Sequence, residues 1–231
     1  MERFRVCFAK SGILKYISHL DLQRTFVRAF RRAKLPLVYS QGFNPQPRVI
    51  FAAPLGVGLE GKNEYFDLFL TQQWKVDELA ESINRQLPPG LIVKDVNNIS
   101  LADPPIPALV EAALYLVGLE TEPNSLQEKI SNLISAEQLL TERKSKKGTK
   151  LVDIRPFILD LWVKRNEGFI NLFMLLVTGG KGGTRPEEIL ELLQMQDLRN
   201  RAEFSREDLF FRENEKLITP GGITLNNISG V

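Results

Sequence analysis

Within the first hundred residues the spacing of apolar side chains switches twice from two to about 3.6 and back, which leaves few folds open to the chain. RFRVCFAK sets Phe4, Val6 and Phe8 at alternate positions, so residues 3–9 read as a half-buried strand. Ser18 can cap a helix from His19 to about Lys34, with Pro36 just past its end. RVIFAAPL and EYFDLFLT follow as strands, joined through Gly56, Gly58 and Gly61. VDELAESINRQL repeats Leu79, Ile83 and Leu87 at helical intervals, PPG stops it, and LIVKDVNNI supplies one more strand. The order β-α-β-β-α-β predicts an α+β, ferredoxin-like unit.

Asp103-Pro104-Pro105-Ile106-Pro107 then reads as a stiff linker, because proline fixes φ and cannot join a ladder. The pattern returns after it. ALYLVGLET is a strand, SLQEKISNLI a helix, and LLTERKSKKGTKLVDI a hairpin. RPFILDLWVKRNEGFINLFMLLVTG gives two long strands around a turn at 166–168; PEEILELL and a strand near AEFSREDLFF close the set. This half holds one strand more than the pattern needs. The expected layout is two tandem ferredoxin-like sandwiches, residues 1–102 and 108–216, with 217–231 as a flexible tail.

Charge is distributed unevenly. Residues 1–50 hold ten Lys or Arg against Glu2 and Asp21, a balance of +8 in a chain whose total is +2. Such a split points to an anionic partner at that end. On the 19–34 helix, Arg24, Arg28, Arg31 and Arg32 fall within roughly 100° of the circumference, opposite the apolar side chains. Arginine presents a planar fork that grips phosphate bidentately, although any polar mixture would serve a solvated face. The loop YSQGFNPQPR, residues 39–48, follows directly. Tyr39 and Phe43 offer flat faces, Ser40 and Asn44 hydrogen-bond groups, Gly42 conformational freedom and Arg48 a charge. This chemistry suits a nucleotide base, and the alternative is a loop satisfied by itself.

His19 is the only histidine, at the expected helix start with Asp21 in the same turn. The two are candidates for acid–base work, against a structural role at the helix entrance. One histidine and one cysteine, Cys7, offer too few ligands for a metal site or a cysteine cluster. The glycine-rich turn 179–183 before Thr184-Arg185-Pro186-Glu187 could cradle a phosphate or act as a plain connection. The basic tip at 144–150 is a solvated turn or a nucleic-acid contact. No apolar run is long enough for a membrane helix and no signal-peptide pattern opens the chain, so a cytoplasmic location is expected.

The stretch ISHLDLQRTFVRAFRRAKLPLVYSQGFNPQPRVIFAAPLGVG, followed by EYFDL, resembles a bacterial family of uncharacterised radical SAM-linked proteins. VDIRP, RPEEI and Arg206 in FSREDLFF are similar to the family's pattern too. His19, Asp21, Arg24, Ser40, Gly42, Phe43, Asn44, Pro45 and Pro47 match its characteristic positions; Gln46 stands where the family carries histidine. Members occur beside, or fused to, radical SAM enzymes that often hold cobalamin. The resemblance therefore implies a radical SAM enzyme as partner, with S-adenosylmethionine, iron–sulfur cluster and cobalamin in that partner and no cofactor in this chain. FINLFMLLVTGGKGGTRPEEILELL is more distantly similar to the C-terminal strand, turn and helix of tRNA pseudouridine synthases. The tandem layout is similar to that of RNA-processing endonucleases of the CRISPR repeat-cleaving type.

These readings converge on an RNA-binding or substrate-presenting partner in tRNA or RNA modification, without catalysis by this chain alone. Two alternatives stand beside it: an RNA-acting enzyme using His19 and Asp21, and a structural adaptor that docks the radical SAM protein.

Overall fold

The computed structural model describes residues 1–119, 123–145, 148–166, 169–180, 182–195 and 203–225. The chain is α+β, with mostly antiparallel sheet and few helices. Its contacts divide it into two units. The first takes Met1–Val110 together with Asp208–Thr224; the second takes Glu111–Glu207 and resumes at Leu225.

In the first unit, β1 (Glu2–Lys10), α1 (His19–Arg32), β2 (Val49–Phe51), β3 (Glu60–Leu70), α2 (Val76–Asn84) and β4 (Leu91–Ile99) follow the sequence pattern. β1 lies between β4 and β3, β2 pairs with β3, and all three pairings are antiparallel. Alternation does what the sequence implies: Phe4, Val6 and Phe8 of β1 and Phe66, Leu68 and Leu70 of β3 are fully buried on the helix side. Leu22, Phe26 and Phe30 of α1 complete that core, with Phe8 and Phe26 edge to face at 4.9 Å. α1 begins as its cap demands, the Ser18 hydroxyl accepting from the Asp21 N–H at 3.1 Å.

The opposite face of this sheet holds a buried ionic cluster. Asp67, fully buried, accepts from Arg3 at 2.6 Å and from Arg5 at 3.0 Å. Arg3 also donates to the carbonyls of Asp103 and Pro104, each at 2.7 Å. The proline-rich segment is thus clamped by a side chain from β1, and it continues into one helical turn, α3 (Ile106–Leu109).

The second unit contains β5 (Ala112–Leu119), α4 (Pro123–Ser135), β6 (Leu140–Ser145), β7 (Gly148–Asp153), β8 (Ile158–Asn166), β9 (Phe169–Val177) and α5 (Pro186–Leu192). β9 lies between β5 and β8, antiparallel to both. β6 and β7 pair with each other in a separate two-stranded sheet, so this part of the chain carries two strands beyond the pattern where the spacing alone suggests one.

β10 (Glu203–Glu213) pairs through its later residues with β11 (Lys216–Ile218), and from Asp208 onward the chain belongs to the first unit. The sequence reading ended the second domain at 216 and began a tail at 217. That boundary falls inside β11, and the contacts divide the units between Glu207 and Asp208 instead, with Leu209, Phe210 and Leu217 buried in the strands that follow. Residues 226–231 of the expected tail, the turn residues 167–168, and Lys146 and Lys147 of the basic tip lie outside the described residues. Among those described, no helix is long and apolar enough to cross a membrane, and no group of three or more His, Cys, Asp or Glu is placed to hold a metal ion.

Candidate functional site

Three of the ten basic residues in the first fifty serve the fold. Arg3 and Arg5 share the Asp67 carboxylate, and Lys10, buried, reaches the Lys15 carbonyl at 3.3 Å. The arginines of α1 behave differently. Arg24, Arg28, Arg31 and Arg32 are exposed. Arg24 makes a solvent-facing pair with Asp21 at 3.3 Å, and Arg32 donates to the Gln86 carbonyl. The amphipathic pattern therefore buries Leu22, Phe26, Ala29 and Phe30 and leaves the guanidinium stripe in water.

The 39–48 loop is a small hairpin closed by its own bonds. Tyr39 bridges Pro47, and the Ser40 N–H donates to the Gln46 carbonyl at 2.9 Å. The Gln46 N–H returns to the Ser40 hydroxyl at 3.0 Å, and the Gln46 amide reaches Asn44 at 3.1 Å. Gly42 turns the tip at φ +126°, where a side chain would be strained. Ser40, Gly42, Asn44 and Gln46 thus shape the loop. Phe43 is displayed by it, with a relative exposure of 112%, and Tyr39 is exposed at 42%. At the base, the Arg48 guanidinium lies 4.0 Å over the Phe69 ring.

His19 and Asp21 lie in the first turn of α1. The His19 ring meets Phe51 edge-on at 5.3 Å, and Phe51 pairs opposite Phe66 of β3. The segment leading into the loop pairs at the other end of β3, Leu37 opposite Leu70. His19 Nε2 lies 3.1 Å from the Gln23 amide nitrogen. The Asp21 carboxylate accepts from Ser18 Oγ at 2.7 Å and from Arg24. The Ser18 bond above all holds its pKa below the ordinary carboxylate value, so it is charged at neutral pH.

A polar cluster without a sequence signal lies on the β1–β3 face. Asp208 accepts from the Tyr65 hydroxyl at 3.1 Å and from the Asn63 amide at 3.0 Å. Burial pushes its pKa up to about 7, with Glu64 adding to the rise against the hydrogen bonds from Leu209 N–H, Tyr65 and Asn63. Cys7, directly across from Tyr65, is pushed by burial up to about 11 and stays a thiol at neutral pH. Asn63 and Asp208 are 145 positions apart, so no local spacing could have joined them.

In the second unit the helix start after the glycine turn is already occupied. Glu188 accepts from Arg143 at 2.7 and 2.8 Å, from Thr184 at 2.8 Å and from the Arg185 N–H at 3.0 Å. Burial pushes its pKa up, but these bonds outweigh it and hold the carboxyl below its ordinary value. A carboxylate fills the position that a phosphate would take. Lys181 of the glycine turn lies outside the described residues.

A family profile described as "Uncharacterized protein conserved in bacteria (DUF2344)" matches residues 3–186, well over half of the chain. Among curated proteins none matches. The solved structures similar to it include "Crystal Structure of an Unknown Protein from Galdieria sulphuraria", at 11% identity and a TM-score of 0.27, covering 89% of this chain and 97% of that one. At that score the likeness carries no argument.

Proposed function

The chain belongs to this DUF2344 family of bacterial proteins, and we propose that within it the protein binds single-stranded RNA and presents it to a modifying enzyme. The observation that carries the reading is Phe43: a phenylalanine wholly in solvent, on a hairpin stiffened by its own bonds. A folded chain gains nothing from such a ring unless it meets something flat or apolar. Stacking of a base on an aromatic ring contributes about 1–3 kcal/mol. The exposed stripe of Arg24, Arg28 and Arg31 on the helix leading into the loop supplies phosphate contacts.

The enzyme partner we propose is of the radical SAM class, with S-adenosylmethionine, iron–sulfur cluster and cobalamin held by that enzyme, and the modified RNA a cytoplasmic tRNA. The family-like residues of α1 and the 39–48 loop support this. The two strand orders, β4-β1-β3-β2 and β10-β5-β9-β8, support reading the units as tandem ferredoxin-like sandwiches. Acid–base catalysis by His19 and Asp21 has less behind it, since the Asp21 carboxylate is engaged by Ser18 and Arg24.

The test is RNA affinity across a salt series. Each phosphate contact contributes about −0.7 to the slope of log K against log salt for single strands. Arg24→Ala with Arg28→Ala should flatten the slope by about 1.4 units. Phe43→Ala should weaken binding about tenfold and leave the slope alone. A double-arginine variant that binds as wild type, or a wild type that binds no RNA even at low salt, removes the proposal. Recovery of the radical SAM enzyme with the protein after nuclease treatment, without RNA affinity, would instead favour the adaptor role.

A further inference from the structure

Between β3 and α2 the chain forms a shallow cavity open to solvent, of about 510 Å³, lined by Gln72, Gln73, Trp74, Lys75 and Glu78. Its lining comes from one stretch, residues 72–78, so a flat ligand seated there would be covered on one face and remain open to solvent on the other. The segment is fixed at its start, where the Thr71 N–H donates to the Pro36 carbonyl at 2.8 Å and the Thr71 hydroxyl donates to it at 3.3 Å. Pro36 follows the end of α1, so the start of this segment is tied to the chain that leaves that helix. Trp74 is half-buried and packs against the aromatic core, which holds its indole in place.

The chemistry of the lining is specific. Trp74 offers a flat apolar face. Gln72 and Gln73 are exposed and, among the described residues, their amides have no partner, so each brings a free donor and a free acceptor. Glu78 pairs with Lys75 at 2.9 Å, but both are largely solvent-exposed, and such a pair holds its partners weakly. Its carboxylate can therefore accept from an incoming amine.

We propose that this cavity seats one unpaired nucleobase carrying an exocyclic amino group, stacked on Trp74, bonded by Gln72 or Gln73, and read by Glu78. The inference rests on the RNA-binding function above and adds base preference to it. Cytosine and uracil isolate the point: they share a ring and differ at position 4 in an amine against a carbonyl, and a carboxylate facing that position accepts from the amine and is repelled by the carbonyl, although uracil still offers its N3–H.

Trp74 is one of two tryptophans, the other being Trp162, so Trp162→Phe leaves Trp74 emission as a direct reporter. That protein would be titrated with oligocytidine and oligouridine decamers, and separately with cytidine and uridine monophosphates. Oligocytidine should quench Trp74 at about tenfold lower concentration than oligouridine, a hydrogen bond to a charged group supplying the difference. Glu78→Gln should abolish the preference without changing the salt slope. Equal affinity for the two decamers, or binding that leaves Trp74 emission unchanged, overturns the pocket while the RNA reading stands. If neither decamer binds, the RNA reading falls and the monophosphates decide the pocket alone: quenching by cytidine but not uridine monophosphate keeps it, and no quenching overturns it.

Discussion

Asp208 shows how one residue can couple stability to pH. Its carboxyl keeps a proton in the folded chain up to about pH 7, whereas an ordinary carboxyl at 3.8 has already lost it. The folded state therefore binds more protons than the unfolded one between those values, and stability must fall as pH rises through that window. The groups facing Asp208 are Glu64, Tyr65 and Asn63 on β3 and Cys7 on β1, with Lys94 bonded to Asn63 at 2.5 Å and Asp95 opposite Cys7 on β4. Denaturation midpoints of wild type and Asp208→Asn at pH 4.5, 6 and 7.5 check this. The wild type should lose ground to the variant as pH rises, and a constant difference would refute it. Nothing at position 208 in the sequence signalled this. An aspartate inside FSREDLFF reads as one more alternating polar residue, and its burial comes from strands far away in the chain.

At the scale of elements, the sequence was most readable where a segment's own period decided its state. α1 is the clearest case: its cap, its buried stripe and its arginine face all stand where the spacing put them. The 39–48 loop was half legible. Its composition showed a stiff, polar, aromatic turn, but the division of labour, with Ser40 and Asn44 bonding inward and Phe43 facing out, depends on hydrogen bonds that composition does not encode. The β6–β7 hairpin was visible as a hairpin, but not its anchor. Arg143 of β6 grips Glu188 of α5 through two bonds, and the same carboxylate ties Thr184 and the Arg185 N–H. Glu188→Ala should cost about 2 kcal/mol, since a part-buried arginine and a helix terminus lose their partner together. Hydrogen exchange should then accelerate first at the β6 and β7 amides. Unchanged protection there would show that Arg143 does not hold the hairpin down.

At the scale of the whole molecule, the first unit is assembled from both ends of the chain. Leu209, Phe210 and Leu217 are buried, and Asp208 supplies partners for Tyr65 and Asn63. A chain ending at residue 207 should therefore lose cooperative unfolding of the first unit, and its β3 amides should exchange far faster than in the full chain. Protection equal to the full chain would mean that Met1–Val110 folds alone. The sequence by itself determined the α+β class, the order of most strands and helices, and the basic, aromatic character of the α1 and 39–48 region. Those properties follow from periods and compositions that act over a few residues. Only the tertiary structure decided which arginines are spent on Asp67 and which face water, that Phe43 is displayed while Ser40 and Asn44 bond within the loop, and that the chain returns from residue 208 to complete its first unit. The second depends on bonds that composition does not encode. The first and the last depend on contacts between residues tens to more than a hundred positions apart, where burial and pairing override what any local pattern can state.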